Sequence, residues 1–142
     1  MLSRHILCTI IAGSQEMDLD TFLTAVREGD VQTVRRGLAA GVDVNDFRWF
    51  DWTPLHLASE YGQTEVAKLL IQNEANLEAR DMGQSTPLHK AAAEGHTGTC
   101  ELLIRSGADV MVQDEVKHSL TWTSPHPFIK LLLGAALGLV SF

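Results

Sequence analysis

At 142 residues with a net charge of −7, the chain holds one domain's worth of material and lacks the basic stripe that tracks nucleic-acid phosphates, its 11 lysines and arginines being scattered. Hydrophobic residues at 45% and charged residues at 20% exclude a disordered chain. Two isolated cysteines, Cys8 and Cys100, are too few for a disulfide framework or a zinc site. They suit a reducing compartment and lead to the expectation of a cytoplasmic protein, with the nucleus left open.

Residues 1–17 form an N-terminal extension. Arg4 and His5 precede the apolar Ile6-Leu7-Cys8 and Ile10-Ile11-Ala12, a signal peptide in miniature whose apolar core lies at the lower limit for one. The preferred reading is a short segment that packs on the following unit or frays. Residues 18–47 then read as an incomplete helical unit. Phe22 to Val26 lies on a first helix, Gly29-Asp30 at a turn, Val31 to Leu38 on a second helix, and Gly41 to Asn45 leads out. Arg36 and Gly37 stand where the later units carry paired leucines, as expected of an end unit facing water. Gly37 inside a helix costs about 0.5–1 kcal/mol relative to alanine.

An aromatic connecting hairpin (Phe47, Trp49, Phe50 and Trp52, with Arg48 and Asp51 between) leads into the next unit, residues 48–80, which continues with Thr53-Pro54-Leu55-His56. Thr53 suits a helix N-cap, and Pro54 suits the first helical position, where its missing donor is no loss. Gly62 ends this short helix. Thr64 to Asn73 forms its partner, with Val66, Leu69, Leu70 and Ile71 building an apolar stripe. Residues 81–113 say the same again. Thr86-Pro87-Leu88-His89 follows the first copy by 33 residues, and Gly95-His96, Cys100, Leu102-Leu103-Ile104 and Ala108-Asp109-Val110 all fall in phase. Cys100 takes the place of Ala67, which reads as a small buried thiol. Glu74 takes the place of Gly41 and Gly107, at a cost of roughly 1 kcal/mol if the backbone there has positive φ.

This period, punctuated by T-P-L-H, resembles the ankyrin repeat. The resemblance covers about residues 18–118, ending in a partial hairpin after residue 113. It implies an all-α solenoid of helix-turn-helix units with hairpin tips. It also implies a structural role for Thr53, Pro54, His56, Gly62, Thr86, Pro87, His89 and Gly95, the two histidines bonding to neighbouring loop backbone to lock successive units. About three units is the lower limit for stable stacking, so a marginal fold is expected.

The fourth T-P-L-H is due at residues 119–122, where Ser119-Leu120-Thr121-Trp122 stands instead. Residues 119–142 thus form a non-repeat hydrophobic tail. Its Leu131 to Phe142 segment would span about 18 Å as a helix, short of a hydrocarbon core of roughly 30 Å. A buried helix acting as a C-terminal cap is the preferred reading, with a membrane anchor and a shortened end of a longer array as the others.

The sequence carries no phosphate-cradling Gly loop, no H-E-x-x-H and no G-x-S-x-G. An enzyme is not expected, nor are a cofactor, a metal or a small-molecule substrate. The resemblance implies a non-catalytic interaction module or adaptor whose partner is another protein, gripped by the hairpin tips and the concave side of the first helices. Motif phase puts Trp49, Phe50, Trp52, Glu60 and Tyr61 on that surface in the second unit, and Met82, Gly83, Ser85, Ala93 and Glu94 in the third. One of Trp49 and Trp52 is expected to pack internally. A membrane-associated adaptor anchored by the tail and a regulatory or substrate-recruiting subunit of an enzyme complex are the alternative readings.

Overall fold

The computed structural model describes residues 17–46 and 50–110. Within them lie six helices and no strand: α1 (Leu19–Glu28), α2 (Val31–Ala39), α3 (Pro54–Glu60), α4 (Thr64–Gln72), α5 (Pro87–Glu94) and α6 (Thr97–Arg105). The first helices α1, α3 and α5 stack in one layer, and α2, α4 and α6 stack in a second. Each unit contributes one helix to each layer, so the core is a strip running along the stack. Phe22, Val34, Leu55, Val66, Leu70, Leu88 and Leu103 fill it, all essentially inaccessible to solvent.

Local chemistry explains where the first helix of each unit begins. Thr53 accepts the His56 N–H on its hydroxyl (3.4 Å), and His56 Nδ1 accepts the Thr53 N–H in return (3.2 Å). Thr86 and His89 repeat this at 3.4 and 3.1 Å. Each pair is a capping box in which histidine stands where glutamate or glutamine usually does, and Pro54 and Pro87 begin the helices behind them. In the first unit the cap is Asp18, whose carboxylate accepts the Thr21 N–H at 2.7 Å. Asp20, in phase with Thr53, therefore lies inside the first turn, and α1 starts earlier than its counterparts.

Glu74 has φ +67°, beside +96° at Gly41 and +104° at Gly107. The turn after each second helix is thus left-handed in all three units, and one unit makes it with a glutamate. Gly37 differs from the expectation for a water-facing position. It is buried, and a Cβ there would overlap the Phe22 ring and come within 2.8 Å of Met17 Sδ. Its neighbour Arg36 is exposed. The glycine lets α1 and α2 approach closely around a large aromatic, which offsets its poor helix propensity.

Successive units are joined by bonds that recur in phase. Asn45 Oδ1 accepts the Asn76 N–H at 2.7 Å, and one unit later Glu78 Oε1 accepts the Asp109 N–H at 2.7 Å. The extension, the hairpin residues Phe47, Arg48 and Trp49, the partial hairpin past residue 113 and the tail from residue 119 lie outside the described residues. Among the described residues no helix is long and apolar enough to cross a membrane.

Candidate protein-binding face

The hairpin tips and the first helices carry the residues singled out by motif phase. Among the described residues the large hydrophobic side chains left in water are Phe50, Tyr61 and Met82, at 69%, 50% and 64% exposure. Phe50 and Met82 sit on adjacent tips, which are tied together by the Met82 N–H donating to the Phe50 carbonyl at 3.1 Å. Tyr61 follows the last residue of α3. Glu94 and Ala93 are exposed on α5, while Glu60, Gly83 and Ser85 are half-buried. Trp49 lies outside the described residues.

Trp52 is occupied internally. Its ring stacks on His56, centroids 6.5 Å apart, and the Lys90 ammonium lies 4.4 Å from its centroid. The same ammonium reaches Asp81 at 2.9 Å. Asp81 is buried, and its carboxylate also accepts the Gly83 and Ser85 N–H groups at 2.9 Å each. Burial alone would raise this carboxyl, but the Lys90 ammonium and the Ser85 N–H outweigh it and hold it below the usual carboxylate range. Asp81, Lys90 and Trp52 thus brace the third tip against the second unit.

His56 locks the two units from below. Because Nδ1 accepts the Thr53 N–H, the proton resides on Nε2, which donates to the Ser85 carbonyl at 3.0 Å. Burial depresses the imidazole's basicity below its ordinary value. The carbonyl in phase with Ser85 for His89 belongs to His118, outside the described residues.

A second inter-unit staple escaped the motif reading. Gln63 lies over Gly29 and donates from Nε2 to the Arg27 carbonyl at 2.8 Å. One period on, His96 lies over Gly62 and bonds through Nε2 to the Glu60 carbonyl at 3.0 Å. Neither residue caps its own helix, since its side chain serves the preceding unit. Gly62 (φ +67°) is therefore needed for its conformation and for the ring above it, whereas Gly95 (φ +78°) ends α5 in the left-handed region. The recurrence of a glycine followed by a polar residue, at Gly29-Asp30, Gly62-Gln63 and Gly95-His96, was the available signal.

Glu60 is pushed above the ordinary carboxyl value by burial, opposed by Lys90 and reinforced by the like charge of Glu94. Cys100 is fully buried and free, and desolvation pushes its thiol up to about 12, so it is chemically quiet. Among the described residues no cluster of histidine, cysteine and carboxylate side chains could hold a metal ion.

Two layers of stacked helix pairs, laced by bonds recurring every unit, define a helical-repeat scaffold, a class that presents surfaces to other macromolecules. A family model described as ankyrin repeats in three copies matches residues 22–114, and the chain belongs to that family, whose members bind other proteins through non-catalytic repeats. The chain is 36% identical over 80 residues to the mouse (Mus musculus) 2-5A-dependent ribonuclease, a match covering 53% of this chain and 11% of that protein. It is 36% identical over 54 residues to protein phosphatase 1 regulatory subunit 12A of Mus musculus, covering 38% and 5%. It is 41% identical over 63 residues to the potassium channel KOR1 of Oryza sativa subsp. japonica, covering 44% and 7%. The chain thus spans about a tenth or less of the length of these relatives.

Proposed function

We propose that the chain is an adaptor that binds a protein partner across its hairpin tips and first helices, in the cytoplasm, with Phe50, Tyr61 and Met82 as apolar anchors and Glu60 and Glu94 beside them. The observation that carries this reading is the exposure of those three side chains on a face whose third tip is braced by Asp81, Lys90 and Trp52. Exposed apolar side chains on a rigid support cost little ordering entropy on binding, and aromatic anchors are where interface energy concentrates. The relatives support a binding role from another direction. A ribonuclease, a phosphatase regulatory subunit and a potassium channel share this repeat segment but no common chemistry. A role as the regulatory subunit of an enzyme draws support from the likeness to the phosphatase subunit.

The test compares partners captured by the wild-type chain with those captured by a Phe50→Ala, Tyr61→Ala, Met82→Ala triple variant, folding being checked by circular dichroism. A variant changed at Lys68 and Gln72, exposed on α4, serves as control. Loss of partners by the triple variant alone is expected, each anchor costing about 1–2 kcal/mol. A folded triple variant that keeps every partner overturns the assignment.

A further inference from the structure

The proposed face carries a charge imbalance that specifies what it takes. α3 ends at Glu60 and α5, packed beside it, ends at Glu94, and neither helix has a basic residue in its last turn. A helix C-terminus already concentrates partial negative charge on its free carbonyls, so a carboxylate there adds to an unfavourable field that a cation would relieve. The nearby basic side chains are directed at groups other than the Glu60 and Glu94 carboxylates. Lys90 is held between Asp81 and the Trp52 ring. His96 is turned onto the Glu60 carbonyl. In the first unit Arg27 lies 3.9 Å from Glu28. Among the described residues no ion pair reaches Glu60 or Glu94. The exposed Tyr61 directly follows Glu60, and Phe50 and Met82 are exposed on the tips that precede the same two helices. An aromatic face adjoining carboxylates is the environment in which a guanidinium or ammonium gains both a cation–π contact and an ion pair. The Lys90–Trp52–Asp81 group shows this same chemistry made within the chain.

We propose that the segment of the partner docking on this face is basic and apolar together, with an arginine or lysine set between the carboxylates of Glu60 and Glu94 against Tyr61 and apolar side chains on Phe50 and Met82. This rests on the adaptor reading above and adds the chemistry of the partner. An acidic or phosphorylated segment is repelled by the same two carboxylates.

The experiment uses a displayed library of short random peptides selected on the purified full chain, followed by fluorescence-anisotropy titration of the enriched peptides. Three forms are compared: wild type, a Glu60→Gln, Glu94→Gln variant, and the Phe50→Ala, Tyr61→Ala, Met82→Ala variant, each checked for folding. Wild type is expected to enrich peptides with arginine or lysine next to leucine or aromatic residues. Their affinity should fall roughly three- to tenfold in the double glutamine variant, the scale of two partly exposed ion pairs. It should also weaken as salt is raised. Peptides that bind with no basic excess, or with equal affinity to the glutamine variant, overturn the charge assignment and leave the adaptor reading standing if the triple alanine variant still loses them. Enrichment of acidic peptides is the strongest form of that first outcome, whereas peptides that bind the triple variant unchanged, or enrichment of none, overturn both.

Discussion

Single residues in this molecule are chosen against two demands, the backbone angle at their own position and the neighbour that arrives from the next unit. Glu74 meets the first badly. It sits at φ +67°, where Gly41 and Gly107 do the same job without a Cβ penalty. Glu74→Gly is therefore expected to stabilise the chain by about 1 kcal/mol, seen as a higher urea midpoint with an unchanged slope. An unchanged or lower midpoint would show that the glutamate side chain contributes something the turn needs. Gly62 faces both demands at once, being left-handed and covered by the His96 ring, and no side chain can replace it without moving that ring.

Among the elements, the first helices α3 and α5 are short, at 7 and 8 residues, and rely on their caps, whereas the second helices α4 and α6 give up their own side-chain caps to bind the preceding unit. Gln63 and His96 thus transfer a few tenths to one kcal/mol of local helix stability into inter-unit coupling, the usual scale of a cap or a net hydrogen bond. The α1–α2 pair reaches its spacing differently, by removing a side chain at Gly37 so that the Phe22 ring can sit against α2. Propensity alone makes Gly37→Ala stabilising. Packing reverses the sign: the variant is expected to lose roughly 1–3 kcal/mol through overpacking against Phe22 and Met17, read as a fall in the urea midpoint. A stabilised Gly37→Ala variant would mean that α1 shifts away at little cost.

For the whole molecule, stability resides in joints between units more than in any unit, so conditions that break a joint open the stack. The joint between the second and third units depends on a neutral imidazole at His56, which must accept from Thr53 N–H and donate to the Ser85 carbonyl. Its folded-state pKa is depressed below the ordinary 6.5. Above that value both folded and unfolded chains are neutral at this site and its contribution is intact. As pH falls below it, the unfolded chain takes up the proton first, and stability is lost progressively until the folded-state pKa is passed. Asp81 is depressed below 3.8, so its contribution stays in place through this window and fails only in stronger acid. The urea midpoint of wild type is therefore expected to drop between about pH 7.5 and pH 5.5, and that of a folded His56→Gln variant, though lower throughout, to be nearly flat over the same range. Equal slopes in the two proteins would remove His56 from the account.

Periodicity was the part of this fold that the chain declared by itself. Two T-P-L-H copies in phase imply two like units, because capping geometry and apolar spacing are local properties that any helix pair must satisfy in the same way. The exposed tips and the buried thiol followed from that phase. What only the tertiary structure decided were relations across the joints: Gly37 emptied to admit Phe22, Gln63 and His96 reaching back over the glycines of the preceding turn, and Trp52 drawn under Lys90 while Phe50 and Met82 stayed in water. Each depends on the distance and angle between neighbouring units, and a one-dimensional pattern specifies which residues are equivalent without specifying how closely the copies approach.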